Sequence, residues 1–455
     1  MAPTVRSFSA EFDPLGLIAQ YPDRYPGLLE SSAALGAAVS GGRFDILPIG
    51  SGECLRLDSR RQLSGPYAEG SRGFLDALER WWRALRAPPE ASVVPFTGGW
   101  LLYLGYELAD EIEPRLRLPP AADPLVALAI RTPAAWIRDR RSRHAWIAAE
   151  PGHEHLQERF AHDVGRTGGA REHADRSLTR IEVQEDDPAQ FLHAVGRALD
   201  YIGAGDVYQA NLSRQWRARS GSPLDAASIY ERLCAANPSP FAALLRDGDF
   251  AVISSSPERL LSIRGGLVCT RPIAGTRPRG MTPERDAALV ESLLGNEKER
   301  AEHVMLIDLE RNDLGRICAG GSVRVDEYMA VETYAHVHHI VSNVSGRLRD
   351  GVTPIQAVRA LFPGGTITGC PKVRCMEIIA ELEGAGRGAY TGGIGYLNLD
   401  GSCDLNILIR TITMRGDRLK FRAGAGIVAD SNPAQELAET RAKAEGLLRA
   451  LRAQP

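Results

Sequence analysis

The stretch 187–214, DPAQFLHAVGRALDYIGAGDVYQANLSR, predicts a helix followed by a strand and is the starting point for the fold class. Asp187 and Pro188 form a helix start, because an acidic side chain caps free backbone N–H groups and proline fits the first turn. Apolar residues then recur at helical spacing, at Phe191, Val195, Leu199 and Ile202. We expect this helix to end at Gly203 and a strand to follow over 206–214.

Segments on both sides of this stretch continue the mixture of helices and strands. Short apolar runs at 44–48, 99–106 and 250–255 are typical of strands, whereas 73–85 and 298–313 have helical spacing. The two kinds of segment alternate too irregularly for a βαβ series. The sequence therefore predicts an α+β fold with a large, mostly antiparallel sheet.

A change of composition divides the chain. Between about 150 and 187, Pro, Gly, His, Arg and Glu crowd together and the apolar periodicity fades. We therefore expect an N-terminal domain with its linker over 1–175 and a second domain over 176–455. Most of the candidate functional residues lie in the second domain.

The composition of the 455 residues excludes several classes of protein. Lys and Arg number 54 against 57 Asp and Glu, a net charge of −3, which argues against binding nucleic acid by charge. No apolar run approaches the ~18 residues that a membrane helix needs, and the start does not resemble a secretion signal. The seven cysteines include no CxxC pair, which argues against a structural zinc site or a disulfide framework. We expect a cytoplasmic protein with reduced thiols and no membrane or nucleic-acid partner.

A carboxylate of the predicted helix 298–313 shares a face with apolar residues. Glu302 lies on the side of Met305, Leu306 and Leu309. Burying a carboxylate costs several kcal/mol unless a cation or donor compensates it. An internal Arg or Lys and a metal ion are equally good partners for Glu302 at this point.

The last predicted helix, which begins at Asn432, carries Glu436, Glu439 and Lys443 on one face. Taken alone, this pattern is typical of a solvated ion-pair ladder. It directly follows the segment RAGAG at 422–426, however, and glycines inside a strand often mark the close approach of a ligand. A small anion held by glycine amides, Lys443 and carboxylate-bound Mg²⁺ would use all of these groups.

Three further segments hold candidate site residues. The glycine-rich turn 362–372, FPGGTITGCPK, opens a helix and favours an anion, but it is no nucleotide P-loop because Cys370 stands where the lysine must be. His339 is expected to be a single buried or catalytic imidazole. The serines before Glu258 lack a GxSxG context, which leaves Glu258 as the residue of interest.

Ordered motifs across the second domain point to one family. They are GDVYQANLSR at 205–214, SSPER at 255–259, RPIAGTR at 271–277, DLERND at 308–313, FPGGTITGCPK at 362–372 and AGAGI at 423–427. Together they resemble the chorismate-utilising enzymes, which include the component I subunits of anthranilate and aminodeoxychorismate synthases and the isochorismate and salicylate synthases. The resemblance implies a large, mostly antiparallel β-sandwich with flanking helices.

The resemblance also implies a site. Mg²⁺ would be held by Glu302 and Glu439, with Glu436 nearby, and would bridge to the ring carboxylate of chorismate. Glu258 resembles the general acid that protonates the departing C4 hydroxyl, and His339 matches the active-site histidine of the family. The residues expected to contact the substrate are Thr366, Tyr390, Arg410, Gly424, Gly426 and Lys443.

The residue at position 209 indicates which nucleophile is used. Family members that add water carry a lysine base at this position, whereas this chain has Gln209. The resemblance therefore favours ammonia as the nucleophile. Since the chain has no glutaminase motif, the ammonia is expected from a separate glutamine amidotransferase subunit, component II, or from free ammonium.

Two branches of the family remain open for the product. The motif that contains Ala274 and Thr276, both placed with the catalytic residues, has its usual anthranilate synthase form, whereas many aminodeoxychorismate synthases carry a lysine at the position of Ala274. The segments GGTITG at 364–369, GIGYL at 393–397 and GRFDI at 42–46 instead resemble the aminodeoxychorismate branch. We expect that branch, which serves 4-aminobenzoate and folate biosynthesis, with anthranilate formation as the alternative.

A third interpretation is that the chain is a non-catalytic, chorismate-binding regulatory subunit. Such a chain would be expected to have lost Glu258, Glu302, His339 or Glu439, and all four are present.

LLES at 28–31 and NPSPF at 237–241 resemble the tryptophan-binding element of anthranilate synthases. An amphipathic strand end explains the first segment equally well. The candidate tryptophan site comprises Leu29, Glu30, Ser31, Pro240 and Phe241.

Overall fold

The computed structural model describes residues 2–33, 42–167, 181–222, 224–334 and 337–452. In this part of the chain, twelve strands form one sheet, called sheet A. They are β1 (Thr4–Ser7), β2 (Gly27–Glu30), β3 (Phe44–Ile49), β8 (Ala134–Asp139), β9 (Ala145–Ala149), β10 (Ile181–Glu185), β11 (Gln209–Ser220), β12 (Phe241–Asp247), β13 (Phe250–Ser256), β19 (Gly369–Cys370), β22 (Thr411–Arg415) and β23 (Arg418–Ile427).

Eleven further strands of the described residues form a second sheet, called sheet B. They are β4 (Cys54–Asp58), β5 (Leu63–Ser64), β6 (Gly99–Leu104), β7 (Leu125–Thr132), β14 (Arg259–Arg264), β15 (Leu267–Arg271), β16 (Ile273–Pro278), β17 (Arg324–Thr333), β18 (Val337–Arg347), β20 (Gly393–Asn398) and β21 (Cys403–Ile407). Sheet A has the order β1-β9-β8-β3-β2-β12-β13-β22-β23-β11-β10, with β19 against β11. Sheet B has the order β16-β18-β15-β14-β21-β20-β6-β7-β4-β5, with β17 against β18.

Helices cover the outer faces of the two sheets. Within the described residues they are α1 (Pro14–Gln20), α2 (Phe74–Leu85), α3 (Ala109–Ile112), α4 (His155–Thr167), α5 (Pro188–Gly203), α6 (Ala226–Ala236), α7 (Pro283–Leu294), α8 (Glu297–Gly315), α9 (Pro354–Leu361), α10 (Lys372–Glu383) and α11 (Pro433–Leu451). Apolar residues of sheet B, such as Leu101 and Leu128, pack against Leu245 and Val252 of sheet A. The predicted α+β class and the antiparallel sandwich are confirmed.

The opening stretch folds as a helix and a strand, with one shift of boundary. The side chain of Asp187 caps α5 by accepting from Ala189 N at 2.9 Å. Phe191 and Val195 are buried on the inner face of the helix. The strand begins at Gln209 rather than at 206, because Gly205 and Asp206 still donate their N–H groups to carbonyls of the α5 terminus. It then runs to Ser220, well past the predicted end.

Strands from both halves of the chain share the two sheets. β2 pairs with β12 in sheet A, and β6 pairs with β20 in sheet B. The expected boundary between 1–175 and 176–455 falls in 168–180, outside the described residues, and that division stays a prediction.

Two connections cross between the sheets side by side. Pro257 and Glu258 lead from β13 in sheet A to β14 in sheet B, and residues 408–410 lead back from β21 to β22. Ile407 donates to the Glu258 carbonyl at 3.0 Å, and Ser255 donates to the Arg410 carbonyl at 3.1 Å. The paired crossings therefore place Glu258 next to Arg410 where the two sheets meet.

Among the helices of the described residues, none is long and apolar enough to cross a bilayer.

Candidate active site

Glu258 is a buried carboxyl group at the first crossing, with 4% of its surface exposed. Burial raises the pKa of Glu258 to about 7, and the negative charge of Glu310 adds to this. Thr366, the Ile273 N–H and the positive charge of Lys443 act in the opposite direction. A carboxyl group with a pKa near neutrality is suited to giving up a proton at physiological pH.

His339 lies on β18 opposite Thr276 of β16, and its Nδ1 is 2.9 Å from the threonine hydroxyl. Burial and the positive charge of Arg410 lower the pKa of His339 to about 4. The ring is therefore neutral at pH 7, with one nitrogen able to accept a proton. Ala274 lies on the same strand as Thr276 and is 8% exposed. Its methyl side chain cannot act as a nucleophile.

Gln209 and Glu302 meet at the end of β23. The Gln209 Nε2 donates to Glu302 Oε1 at 2.8 Å. A Cβ atom on Gly426 would lie 2.3 Å from the Gln209 Nε2 and 3.4 Å from Glu302 Oε1. A methyl group at this position would force the Gln209 amide to move.

Gly424 is the second close approach on β23. A Cβ atom there would lie 2.7 Å from the Tyr390 hydroxyl and 3.0 Å from Asn211 Oδ1. The Gly424 carbonyl accepts from Lys443 Nζ at 3.0 Å, and the same ammonium group pairs with Glu439 at 2.6 Å. β23 therefore brings together the predicted residues of β11, α11 and the Tyr390 loop.

Arg410 has an uncommon backbone conformation at the second crossing, with a φ of 54°. This left-handed region is rare for residues other than glycine and is often found where function constrains the backbone. Burial lowers the pKa of Arg410, whereas the charges of Tyr390 and Glu439 raise it. Arg410 is thus a half-buried cation within the influence of His339, Tyr390 and Glu439.

Three buried polar atoms of the site have no hydrogen-bond partner among the described residues: Gln209 Oε1, Asn211 Oδ1 and Thr366 Oγ1. Thr366 approaches the Glu258 carboxyl closely enough to lower its pKa, but its hydroxyl forms no well-aligned hydrogen bond with described groups. Buried polar groups normally have partners, so such a cluster calls for an explanation. Bound groups that donate to the two amide oxygens and accept from the Thr366 hydroxyl would satisfy these atoms.

Glu302, Glu436 and Glu439 are the carboxylates expected to hold a magnesium ion. In the described residues, no group of three or more His, Cys, Asp or Glu side chains converges as a metal site. Glu302 lies next to Gly426, whereas Glu439 pairs with Lys443, whose ammonium group donates to the Gly424 carbonyl. The buried Glu436 lies one turn before Glu439 on α11. Mg²⁺ commonly uses one or two carboxylates and fills its remaining positions with water and substrate oxygens. Glu302 and Glu439, with the unpartnered Gln209 oxygen, therefore fit Mg²⁺.

A buried ion network that the sequence patterns did not indicate supports this site. The Glu383 carboxylate pairs with Arg387 at 2.7 Å and with Arg422 at 2.7 Å, and it also accepts from Ser213 N at 2.8 Å. The guanidinium carbon of Arg387 lies 5.5 Å from the ring centre of Tyr390. Because α10 ends at Glu383 and Arg387 lies in the loop beyond it, helical spacing did not indicate this pair, and nothing local indicated Arg422.

Four of the five candidate tryptophan-site residues line one cavity of about 360 Å³: Leu29, Glu30, Pro240 and Phe241. Ser31 is buried beside Gly42, another lining residue. Burial and the charge of Asp45 raise the pKa of Glu30 to about 7. Binding of tryptophan in this cavity stays a prediction.

Known proteins resemble this chain over most of its length. Residues 52–449 match the family described as chorismate binding enzyme. Aminodeoxychorismate synthase component 1 of Bacillus subtilis is 42% identical over 83% of this chain and 82% of its own length. Anthranilate synthase component 1 of Pseudomonas aeruginosa is 38% identical over 97% of this chain and 94% of its own length.

A solved structure of a related protein shares the fold of this chain. The crystal structure of anthranilate synthase component I from Streptococcus pneumoniae superposes with a TM-score of 0.80 and 32% identity, over 91% of this chain and 94% of that one. The family match spans most of the chain and includes every residue placed around β23. The chain therefore belongs to the chorismate binding enzyme family.

Proposed function

We propose that the chain is component I of an aminodeoxychorismate synthase, which converts chorismate and ammonia to 4-amino-4-deoxychorismate and water. The observation that carries the proposal is the set of buried, unpartnered polar atoms of Gln209, Asn211 and Thr366, of which Thr366 approaches the Glu258 acid. The C4 hydroxyl of chorismate would donate to one of the two amide oxygens, the Thr366 hydroxyl would donate to a carboxylate, and the two negative charges would lie near the cations Arg410 and Lys443.

Glu258 acts as the general acid in this proposal. Its pKa of about 7 leaves a large fraction protonated at neutral pH, so the carboxyl group delivers a proton to the C4 hydroxyl, which departs as water. A positioned acid of this kind typically contributes about 10² to 10⁴ in rate. Mg²⁺, when bound, would neutralise and orient the ring carboxylate.

His339 and Gln209 supply the remaining groups. Because the pKa of His339 is about 4, the neutral ring is able to accept a proton from the incoming amine, while Thr276 orients the ring through Nδ1. Gln209 is not a base, and its amide donates to Glu302, so it does not activate water. These residues favour ammonia as the nucleophile, because ammonia attacks through its lone pair and needs no deprotonation beforehand.

Ammonia is expected from a glutamine amidotransferase subunit. Both close relatives bear the name component 1, which supports an assembly with a second component. Added ammonium should replace that partner in a purified preparation.

The competing product is anthranilate, and Ala274 is the observation that favours it. With no amine at this buried position, ring C2 stays open to ammonia rather than to an enzyme lysine. Loss of pyruvate would then give the aromatic product. Both routes lose the C4 hydroxyl, so Glu258 has the same role in each and does not discriminate between them.

The test is product analysis by mass spectrometry. The purified chain is incubated with chorismate, Mg²⁺ and ammonium, with and without an aminodeoxychorismate lyase, and Glu258→Gln is the matched inactive control. We expect 4-aminobenzoate only when the lyase is present. Anthranilate formed without the lyase would refute the proposal in favour of the alternative, and absence of any turnover would point to a non-catalytic chorismate-binding subunit.

A further inference from the structure

Glu310 is a buried carboxyl group that the mechanism above does not use. It lies on α8, two turns beyond Glu302, and 4% of its surface is exposed. Its Oε1 accepts from the backbone N–H of Gly365 at 3.3 Å. Gly365 is tightly enclosed, since a Cβ atom there would lie 2.5 Å from a Leu309 methyl group and 3.1 Å from Glu310 Oε1.

The same helix face holds the turn 362–372 at a second point. Asp313, three residues after Glu310, forms an ion pair with Lys372, and the Lys372 ammonium also donates to the Leu361 carbonyl at 3.1 Å. Lys372 thereby ties one end of the turn to α8 and to the residue that precedes the other end. Inside the turn, the Thr368 hydroxyl donates to the Gly364 carbonyl at 2.9 Å, which leaves Thr366 at the tip that meets Glu258.

We propose that Glu310 is a positioning residue for the reaction, acting through Glu258: it fixes the turn that carries Thr366 against Glu258 and places a second carboxyl group close to that acid. The inference rests on the proposed role of Glu258 as the general acid. Glu310 need not touch the substrate for this role.

The electrostatic surroundings support the assignment. The groups that act on Glu258 are Thr366, the Ile273 N–H, Glu310 from α8 and Lys443 from α11. Burial and the negative charge of Asp313 raise the pKa of Glu310, while Lys372, Thr270 and the Gly365 N–H lower it. A negative charge on Glu310 favours the protonated form of Glu258, because two carboxylates in one buried pocket repel each other.

The experiment compares Glu310→Gln with Glu310→Leu. Gln keeps an acceptor for the Gly365 N–H but removes the charge, whereas Leu removes both. Glu111→Gln is the matched control, since Glu111 accepts from Phe74 N and Leu75 N at the start of α2 and is not among the groups that act on Glu258. Circular dichroism and thermal unfolding establish that each variant is folded, and Glu310→Gln carries the test alone if the Leu variant is not.

The first readout needs no activity. Glu258 is titrated by ¹³C NMR of the carboxyl carbons in substrate-free protein, with its signal assigned by its loss in Glu258→Gln. We expect the titration midpoint of Glu258 to move to lower pH in Glu310→Gln by roughly 0.5 to 1 pH unit, as for a partly screened like charge. The control should leave the midpoint in place.

The second readout is the pH dependence of kcat/KM. The alkaline limb should move to lower pH by the same amount, so the rate above the wild-type midpoint falls roughly three- to tenfold. Glu310→Leu should in addition raise KM, and Gln should restore that part. Unchanged midpoints and limbs in both Glu310 variants would overturn the proposal. A chain inactive on chorismate would instead overturn the proposed function, while the NMR midpoint still decides the role of Glu310.

Discussion

Replacing Glu383 by glutamine should strongly destabilise the chain. Glu383 is 2% exposed at its side chain and compensates both Arg387 and Arg422, which are themselves buried. Breaking a buried ion pair from one side typically costs about 3–5 kcal/mol, because the partner charge is left uncompensated. The entropy of unfolding is about 2.1 cal/mol/K per residue near Tm, hence ~1 kcal/mol/K for 455 residues. Tm should therefore fall by ~3–5 °C if the chain unfolds as one unit.

The assay is differential scanning calorimetry of Glu383→Gln beside Glu381→Gln. Glu381 lies two residues earlier on α10, is exposed, and accepts from the Tyr201 hydroxyl at 2.8 Å. Its replacement should shift Tm far less, because exposed polar contacts contribute little. Equal shifts for the two variants would refute the argument that burial gives Glu383 its weight.

The pH dependence of the same difference provides a second check. Burial raises the pKa of Glu383, but Arg387 and Arg422 outweigh it, so the pKa of the folded state lies below the ordinary 4.5. A carboxyl group with a lowered pKa stabilises the fold fully above its unfolded pKa and loses that contribution as the pH falls through the folded value. The Tm difference should thus be constant from pH 6 to 8 and shrink below about pH 4.5. A difference that persisted unchanged in acid would show that packing, rather than charge, is responsible.

Glu258→Gln should lower kcat by a factor of about 10² to 10⁴ and leave chorismate binding unchanged. Product formation measures the first effect and calorimetric titration the second; a fully active variant would exclude Glu258 as the acid. In the wild-type chain, activity should fall as the pH rises through about 7, because the acid must be protonated, and a rate still rising above pH 8 would contradict this assignment. Gly426→Ala should displace Gln209 and weaken chorismate binding, whereas Gly196→Ala, where a Cβ meets nothing within 4 Å in α5, should leave binding unchanged. Removal of divalent ions with EDTA should abolish turnover and added Mg²⁺ should restore it; turnover that survives chelation would exclude the magnesium site.

Local patterns predicted much of this structure because they depend on short-range physics. Capping and apolar spacing predicted α5, apolar spacing predicted α8 to within a few residues, and a short apolar run predicted β13. The misplaced start of β11 came from a turn at Gly205 and Asp206 whose hydrogen bonds return to the preceding helix. Side-chain types at motif spacing were enough to indicate Glu258, His339 and the two glycines of β23.

The sequence by itself determined the family, the order of the motifs and the identity of the candidate acid. Only the tertiary structure decided how these residues meet. Glu258 and Arg410 are far apart along the chain and become neighbours because each lies on a connection that crosses from one sheet to the other. The pairing of Glu383 with Arg422 and the contact of Glu310 with Gly365 arise in the same way, from strands and helices that associate over long sequence separations. The pKa of each buried group depends on how much water the whole fold excludes and on which charges it brings near. No local pattern of residues carries that information.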